Sequence, residues 1–152
     1  MMKQNIILVF ALLFVLSMVN AIPHKRATSF VKCPVDPPAP LLSVSLSPDP
    51  PAAGKDETFT ISGSDIKVPD NAQVEIAFLD ATFGLIAVPF DTPIKSGPLG
   101  TVTEKVSISS NLPAQYALSV SIRDIHSGEF LYCAVALFGG LASPSADVVF
   151  AF

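Results

Sequence analysis

Residues 42–63 read LSVSLSPDPPAAGKDETFTISG, and the two ends of this stretch share one period. In Leu42-Ser43-Val44-Ser45-Leu46-Ser47 every second residue is apolar, the pattern of a strand with one face in a core and the other in water. Pro48-Asp49-Pro50-Pro51 ends that strand, because proline offers no N–H to a ladder and restricts the residue before it. Gly54 permits the turn that follows, and Glu57-Thr58-Phe59-Thr60-Ile61-Ser62-Gly63 resumes the alternation with Phe59 and Ile61 on one face. The stretch therefore predicts two strands joined by a proline-rich corner. Such a corner suits a chain passing from one sheet of a sandwich to the other better than a tight two-residue hairpin.

The same period recurs downstream. After a connection at residues 65–71, Val74, Ile76 and Phe78 alternate with Gln73, Glu75 and Ala77. Residues 83–88 form an apolar run that fits either a strand or the lip of a loop, and the three prolines and two glycines of residues 89–100 predict an extended irregular loop. Residues 101–109 resume a strand with Val102, Val106 and Ile108 on one face; Glu104 shares it, an inward charge unless a bulge resets the register. Tyr116, Leu118, Val120 and Ile122 alternate with Ala117, Ser119, Ser121 and Arg123. Residues 129–138 are apolar on both faces, as in the middle of a sandwich, and residues 148–152 predict a last edge strand. Past the N-terminal segment no long window has the 3.6-residue period of a helix. About seven or eight strands at roughly ten-residue spacing predict an all-β chain, an immunoglobulin-like two-sheet β-sandwich.

Residues 1–21 stand apart from that pattern. Lys3, the apolar run of residues 6–16 and Val19-Asn20-Ala21 have the layout of a cleaved secretory signal peptide. The apolar run is shorter than the ~20 residues that span a bilayer. Residues 22–28 read as a flexible tail or, through the dibasic Lys25-Arg26, a short pro-segment. Residues 29–152 then make one domain, in a product expected to be secreted or lumenal (vacuolar or endolysosomal). Without Lys3 the formal net charge is −5, so there is no basic field to draw nucleic acid. Tight docking on strongly anionic membranes is also disfavoured, whereas transient membrane contact is compatible with this balance.

Cys33 and Cys133 are the only two cysteines. An even count behind a signal peptide favours a disulfide over two buried free thiols. No second Cys or His lies within a turn of either one, so no zinc cluster can form locally and no metal or cofactor is expected. Enzyme chemistry finds equally little. His24 falls in the tail, and His126 sits in a turn beside Asp124 and Ser127 where a solvated hairpin explains it better than a dyad. There is no G-x-S-x-G elbow and no phosphate-binding glycine loop. Eleven Phe, two Tyr and no Trp give much apolar side chain with few polar handles. Residue type alone leaves open whether the inner faces fill their own space or line a cavity.

The corner Ser47-Pro48-Asp49-Pro50-Pro51, Gly54 and Thr60-Ile61-Ser62-Gly63 resemble the N-terminal half of the ML domain, the MD-2-related lipid-recognition family. The likeness is closest to the fungal phosphatidylglycerol/phosphatidylinositol transfer proteins, relatives of the Niemann-Pick type C2 sterol carrier, and extends over most of the mature chain. Pro93-Ile94-Lys95-Ser96-Gly97 is similar to a Cys-Pro-Ile-x-x-Gly element of the family, and Pro113 before Tyr116-Ala117-Leu118 to the Pro…Tyr start of its next strand. Cys33 and Cys133 stand where the family's first and last cysteines pair. A second family disulfide is missing, since Thr92 occupies one of its positions and the upstream partner is absent.

The resemblance implies a sandwich with an apolar cavity between its sheets, and a monomeric carrier without catalytic activity that shields a phospholipid (phosphatidylglycerol or phosphatidylinositol) or a sterol. Its partners would be that ligand and, transiently, membranes. The inward residues implied as lining are Phe59, Ile61, Val74, Ile76 and Phe78, then Val106, Ile108, Tyr116, Leu118, Val120 and Tyr132. Phe83, Leu85, Val88 and Phe90 are candidates for the portal, with Lys95 to meet a phosphate at the mouth. The alternative is a secreted β-sandwich interaction module, surface or immune-related, with a solid core and no lipid ligand.

Overall fold

A computed structural model describes residues 27–141 of the chain. The signal peptide expected at 1–21, Lys25-Arg26 and the last edge strand expected at 148–152 lie outside these residues. Eight strands follow in order: β1 (Val31–Lys32), β2 (Ser43–Ser47), β3 (Asp56–Val68), β4 (Ala72–Leu79), β5 (Phe90–Pro93), β6 (Gly97–Ser107), β7 (Tyr116–Asp124) and β8 (Phe130–Phe138). They form two antiparallel sheets, β1-β8-β7-β4-β5 and β2-β3-β6. The chain changes sheet between β1 and β2, between β3 and β4, between β5 and β6, and between β6 and β7. With this connectivity β2-β3-β6 takes the A-B-E places and β8-β7-β4-β5 the G-F-C-C′ places of an immunoglobulin-type sandwich.

Alternation decides the packing. Leu42, Phe59, Ile61, Val106 and Ile108 from the smaller sheet meet Val74, Ile76, Phe78, Leu118, Val120 and Ile122 from the larger one in a single core. Each large apolar side chain so buried contributes about 1.5–3 kcal/mol relative to exposure. Outside the smaller sheet, Ser43, Ser45 and Ser47 stand beside Ser62, Thr60 and Thr58 on the neighbouring strand, facing solvent wholly or in part.

The outer face of the larger sheet is not left to water. Residues 33–39 cross it: Val35 and Ala39 pack with Ala77, Leu79, Ala117 and Val135, and the N–H of Cys133 donates to the carbonyl of Pro40 at 3.0 Å. Cys33 and Cys133 form a disulfide with a Cα–Cα distance of 5.6 Å, a bond compatible with an oxidising compartment. The small side chains of Ala117, Ser119 and Ser121 let this cover lie close. Thus β7, like β8, is buried on both faces.

Three expectations are corrected. The proline-rich corner does not change sheets, since β2 and β3 pair directly from Ser43↔Ser62 to Ser47↔Thr58. The chain instead makes a long hairpin loop, held to the end of β6 where Gly54 donates to Ile108 at 3.1 Å and Ile108 to Lys55 at 2.9 Å. The connection expected at 65–71 is mostly strand: β3 runs on to Val68 across a register shift between Gly63 and Lys67. Gly63 allows this, because a Cβ there would lie 2.3 Å from Cδ1 of Ile66. The irregular loop at 89–100 is β5 and the start of β6. Among the described residues both are edge strands, where proline's missing N–H costs no ladder bond. Glu104 stays in register opposite Phe59 with no bulge, and it is only partly buried.

Gly139, just after β8, holds a φ of 69°, and a Cβ there would come within 1.8 Å of the carbonyl oxygen of Ala114. Gly139→Ala is expected to destabilise the domain by roughly 1–3 kcal/mol, from left-handed backbone strain and overpacking together. Urea unfolding that matches the native chain would refute this close approach of backbone to backbone.

Candidate functional site

The two ends of the sandwich differ. At one end gather the start of β3, the ends of β4, β6 and β8, and the start of β7, bringing Glu57, Phe78, Val106, Phe138 and Tyr116 together. Tyr116 stacks on Phe138 with ring centroids 4.6 Å apart and planes at 10°, and Phe78 tilts against Tyr116 at 6.2 Å.

Beside this aromatic corner the sandwich has an open edge. Among the described residues the smaller sheet has three strands, with β6 at one edge of it and β5 at one edge of the larger sheet. Between them lies a pocket of about 120 Å³ lined by Phe78, Ile86, Ala87, Phe90, Ser107, Ser109 and Leu112. Its rim is formed by residues 80–90. There the Asp80 carboxylate accepts from the Thr82 hydroxyl and N–H at 2.7 Å and from the Gly84 N–H at 3.0 Å. The Thr82 bonds, chiefly its hydroxyl, hold the Asp80 pKa below the usual carboxylate value. This turn, with Phe83 at a φ of 63°, sends Ile86 inward to the core while Leu85 and Val88 remain 48% and 84% exposed.

All eleven residues expected to line the space between the sheets do face it, Tyr132 half-buried and the rest buried. They meet each other there. The inward face of β8 carries Ala134 and Ala136, which lets the sheets approach, and the space that described residues line at the sheets' edge is the pocket above. Its 120 Å³ is below the roughly 300–1,000 Å³ of small-molecule sites. Two further depressions, of about 390 Å³ along residues 28–30 and 41–44 and 550 Å³ over Ser43, Ser62 and Thr101, are open surface.

The portal residues divide. Phe90 lines the pocket, and Leu85 and Val88 flank it on the same loop. Phe83 does not belong there: it packs against the outer-face cluster of the larger sheet, because Phe83 and Ile86 leave the loop on opposite sides. Lys95 does not meet the mouth either. It follows β5 next to Ile94, whose N–H donates to Ala72, at the far end of the strand from Phe90.

Glu57 is the residue that the sequence reading passed over. It shares the strand parity of Phe59 and Ile61, so it points inward opposite Val106 and is fully buried. Neither of its carboxylate oxygens has a hydrogen-bond partner among the described residues. Burial, then the nearby Asp49 charge, pushes its pKa up, while the Ser47 backbone draws it back in part without reaching hydrogen-bonding geometry. The Tyr116 hydroxyl is pushed up to about 12 by burial and by Glu57. Counting inward positions back from Ile61 would have found Glu57.

The other buried charge is satisfied. On the outer face of the larger sheet Arg123 meets Glu75 at 2.8 Å, donates to the Gly128 carbonyl at 3.2 and 3.0 Å, and lies 4.7 Å over the ring of Phe130. It fastens the β7–β8 hairpin. Asp124 is also structural: it accepts from the N–H groups of His126 and Ser127 at 2.8 and 2.9 Å, bonds that lower its pKa, that of Ser127 first. No cluster of three or more His, Cys, Asp or Glu side chains that could hold a metal occurs among the described residues. Comparison with known protein families, curated proteins and solved structures gives no match to this chain.

Proposed function

We propose that this protein is a secreted or lumenal lipid carrier, which takes one phospholipid or sterol from a membrane, shields its apolar part between the two sheets and releases it at another membrane. The observation that carries this reading is an apolar pocket between the edges of the two sheets, with Leu85 and Val88 exposed beside it and Phe90 40% exposed on its wall. Apolar side chains held out at the mouth of an apolar pocket suit contact with a bilayer. The likeness of residues 41–63 and 93–97 to the ML domain points the same way. Binding requires the sheets to part at this edge, and each Å² of ligand apolar surface removed from water returns about 25 cal/mol.

The tightly filled core favours one other reading, a secreted interaction module that uses the sandwich only as a scaffold. Native mass spectrometry of the secreted protein, followed by organic extraction, decides between them. The carrier reading expects a stoichiometric phospholipid or sterol and transfer of that lipid between vesicles. A bare chain that also takes up no added lipid would leave the scaffold reading standing.

A further inference from the structure

We infer that the aromatic corner around Glu57 is a polar anchor for the ammonium group of a single-chain alkylamine, whose tail runs out through the edge pocket. This rests on the carrier reading and names the head-group chemistry its site would select.

The geometry supplies three parts. Glu57 is fully buried, and among the described residues neither carboxylate oxygen has a hydrogen-bond partner, so the described fold carries the desolvation cost of that group without a bond to offset it. Buried acids of this kind are satisfied by a donor brought from outside or stay a defect of the fold. Near it stands Tyr116, on which its charge acts, with the rings of Phe78 and Phe138 against that ring; aromatic faces attract a cation. Finally, Glu57 pairs with Val106, the residue before Ser107 of the pocket wall, and Phe78 both touches Tyr116 and lines the pocket. The chain of contacts from the pocket to the carboxylate therefore runs through Phe78 and Tyr116, which a ligand entering at this edge would have to part.

Charge selects among donors. The charged group that acts on Glu57 is another acid, Asp49, itself bound by the N–H and hydroxyl of Thr28. An alkyl carboxylate would add repulsion, and an alcohol would supply one neutral bond. An ammonium supplies three donors and the compensating charge. The bonds it makes are of the charge-assisted kind, roughly twice as strong as neutral ones.

The test is isothermal titration of the full secreted chain at neutral pH with dodecylamine, dodecanol and dodecanoate below their micelle concentrations. Dodecylamine is expected to bind tightest, by about tenfold or more over dodecanol, the range of a charged hydrogen bond. Glu57→Gln should remove that preference while dodecanol still binds. Asp56→Asn, a neighbouring exposed acid paired to Lys105 at 2.7 Å, should keep it, which separates the anchor from general attraction to an acidic protein. Equal binding of all three ligands, or a preference that survives Glu57→Gln, overturns the inference and leaves the carrier reading intact. Binding of none overturns the inference as well, and the carrier reading then stands or falls on the extraction and uptake of phospholipid or sterol.

Discussion

Serine at both Cys33 and Cys133 is expected to lower the unfolding free energy by about 4–5 kcal/mol, the loop-closure value for a bond spanning 100 residues. The sequence separation sets the size of this effect. Breaking the bond frees the unfolded chain, and it also loosens the cover over the larger sheet, because Cys33 leads directly into Val35, Ala39 and the Pro40–Cys133 hydrogen bond. Urea unfolding of the double variant beside the native chain measures it. A loss under 1 kcal/mol would mean that β1 and residues 33–40 hold their place without the bond.

Glu57→Met is expected to act in the opposite direction, stabilising the domain by roughly 2–4 kcal/mol at pH 8, since an apolar side chain of similar length replaces an unpartnered buried carboxyl. The pH dependence carries the sign. Burial, and secondarily Asp49, raise the folded-state pKa of Glu57, so the folded chain keeps this proton to higher pH than the unfolded chain. The contribution to stability is complete below the ordinary glutamate range and is lost as pH rises through the folded value, at no more than about 1.4 kcal/mol per pH unit. Tyr116, pushed up to about 12, stays neutral throughout. Asp56, Asp80 and Asp124 are held below their usual values by bonds from Lys105, Thr82 and Ser127 respectively, and pull the other way in acid. The difference between native chain and variant isolates Glu57. A difference that does not change from pH 5 to pH 8 would show that Glu57 ionises alike in both states. If the variant gains stability yet binds alkylamine no better than alcohol, Glu57 is a group kept for binding at the expense of the fold.

Much of the inner architecture was legible because period-2 alternation places every residue of a strand on one face or the other. Phe59, Val74, Leu118 and Val120 could be assigned inward from their neighbours alone. Pairing was not legible in the same way. The proline corner was read as a change of sheet because nothing local distinguishes a long hairpin from a crossover; the difference lies in bonds to residues 108 and 109, some fifty positions away. Prolines at 89–100 were read as loop because the rule against proline in strands relaxes at edges, and edges are a property of the whole sheet. The candidate site was harder still. The aromatic corner needs the ends of five strands to coincide, and the separation of the sheets depends on Ala134 and Ala136, whose small volume gives no signal until the opposing faces are known.

The pairing of β1 with β8 also governs when the fold can form. Val31 sits opposite Val135 and Lys32 opposite Ala134, so the larger sheet has its first edge only after more than a hundred intervening residues exist. Folding is then limited by the search for distant partners, as in other sandwiches rich in non-local pairing. While that search lasts, the Ala-Ser-Ser face of β7 and both thiols stay accessible. During this interval a thiol–disulfide exchange catalyst, or a second unfinished chain, could engage them.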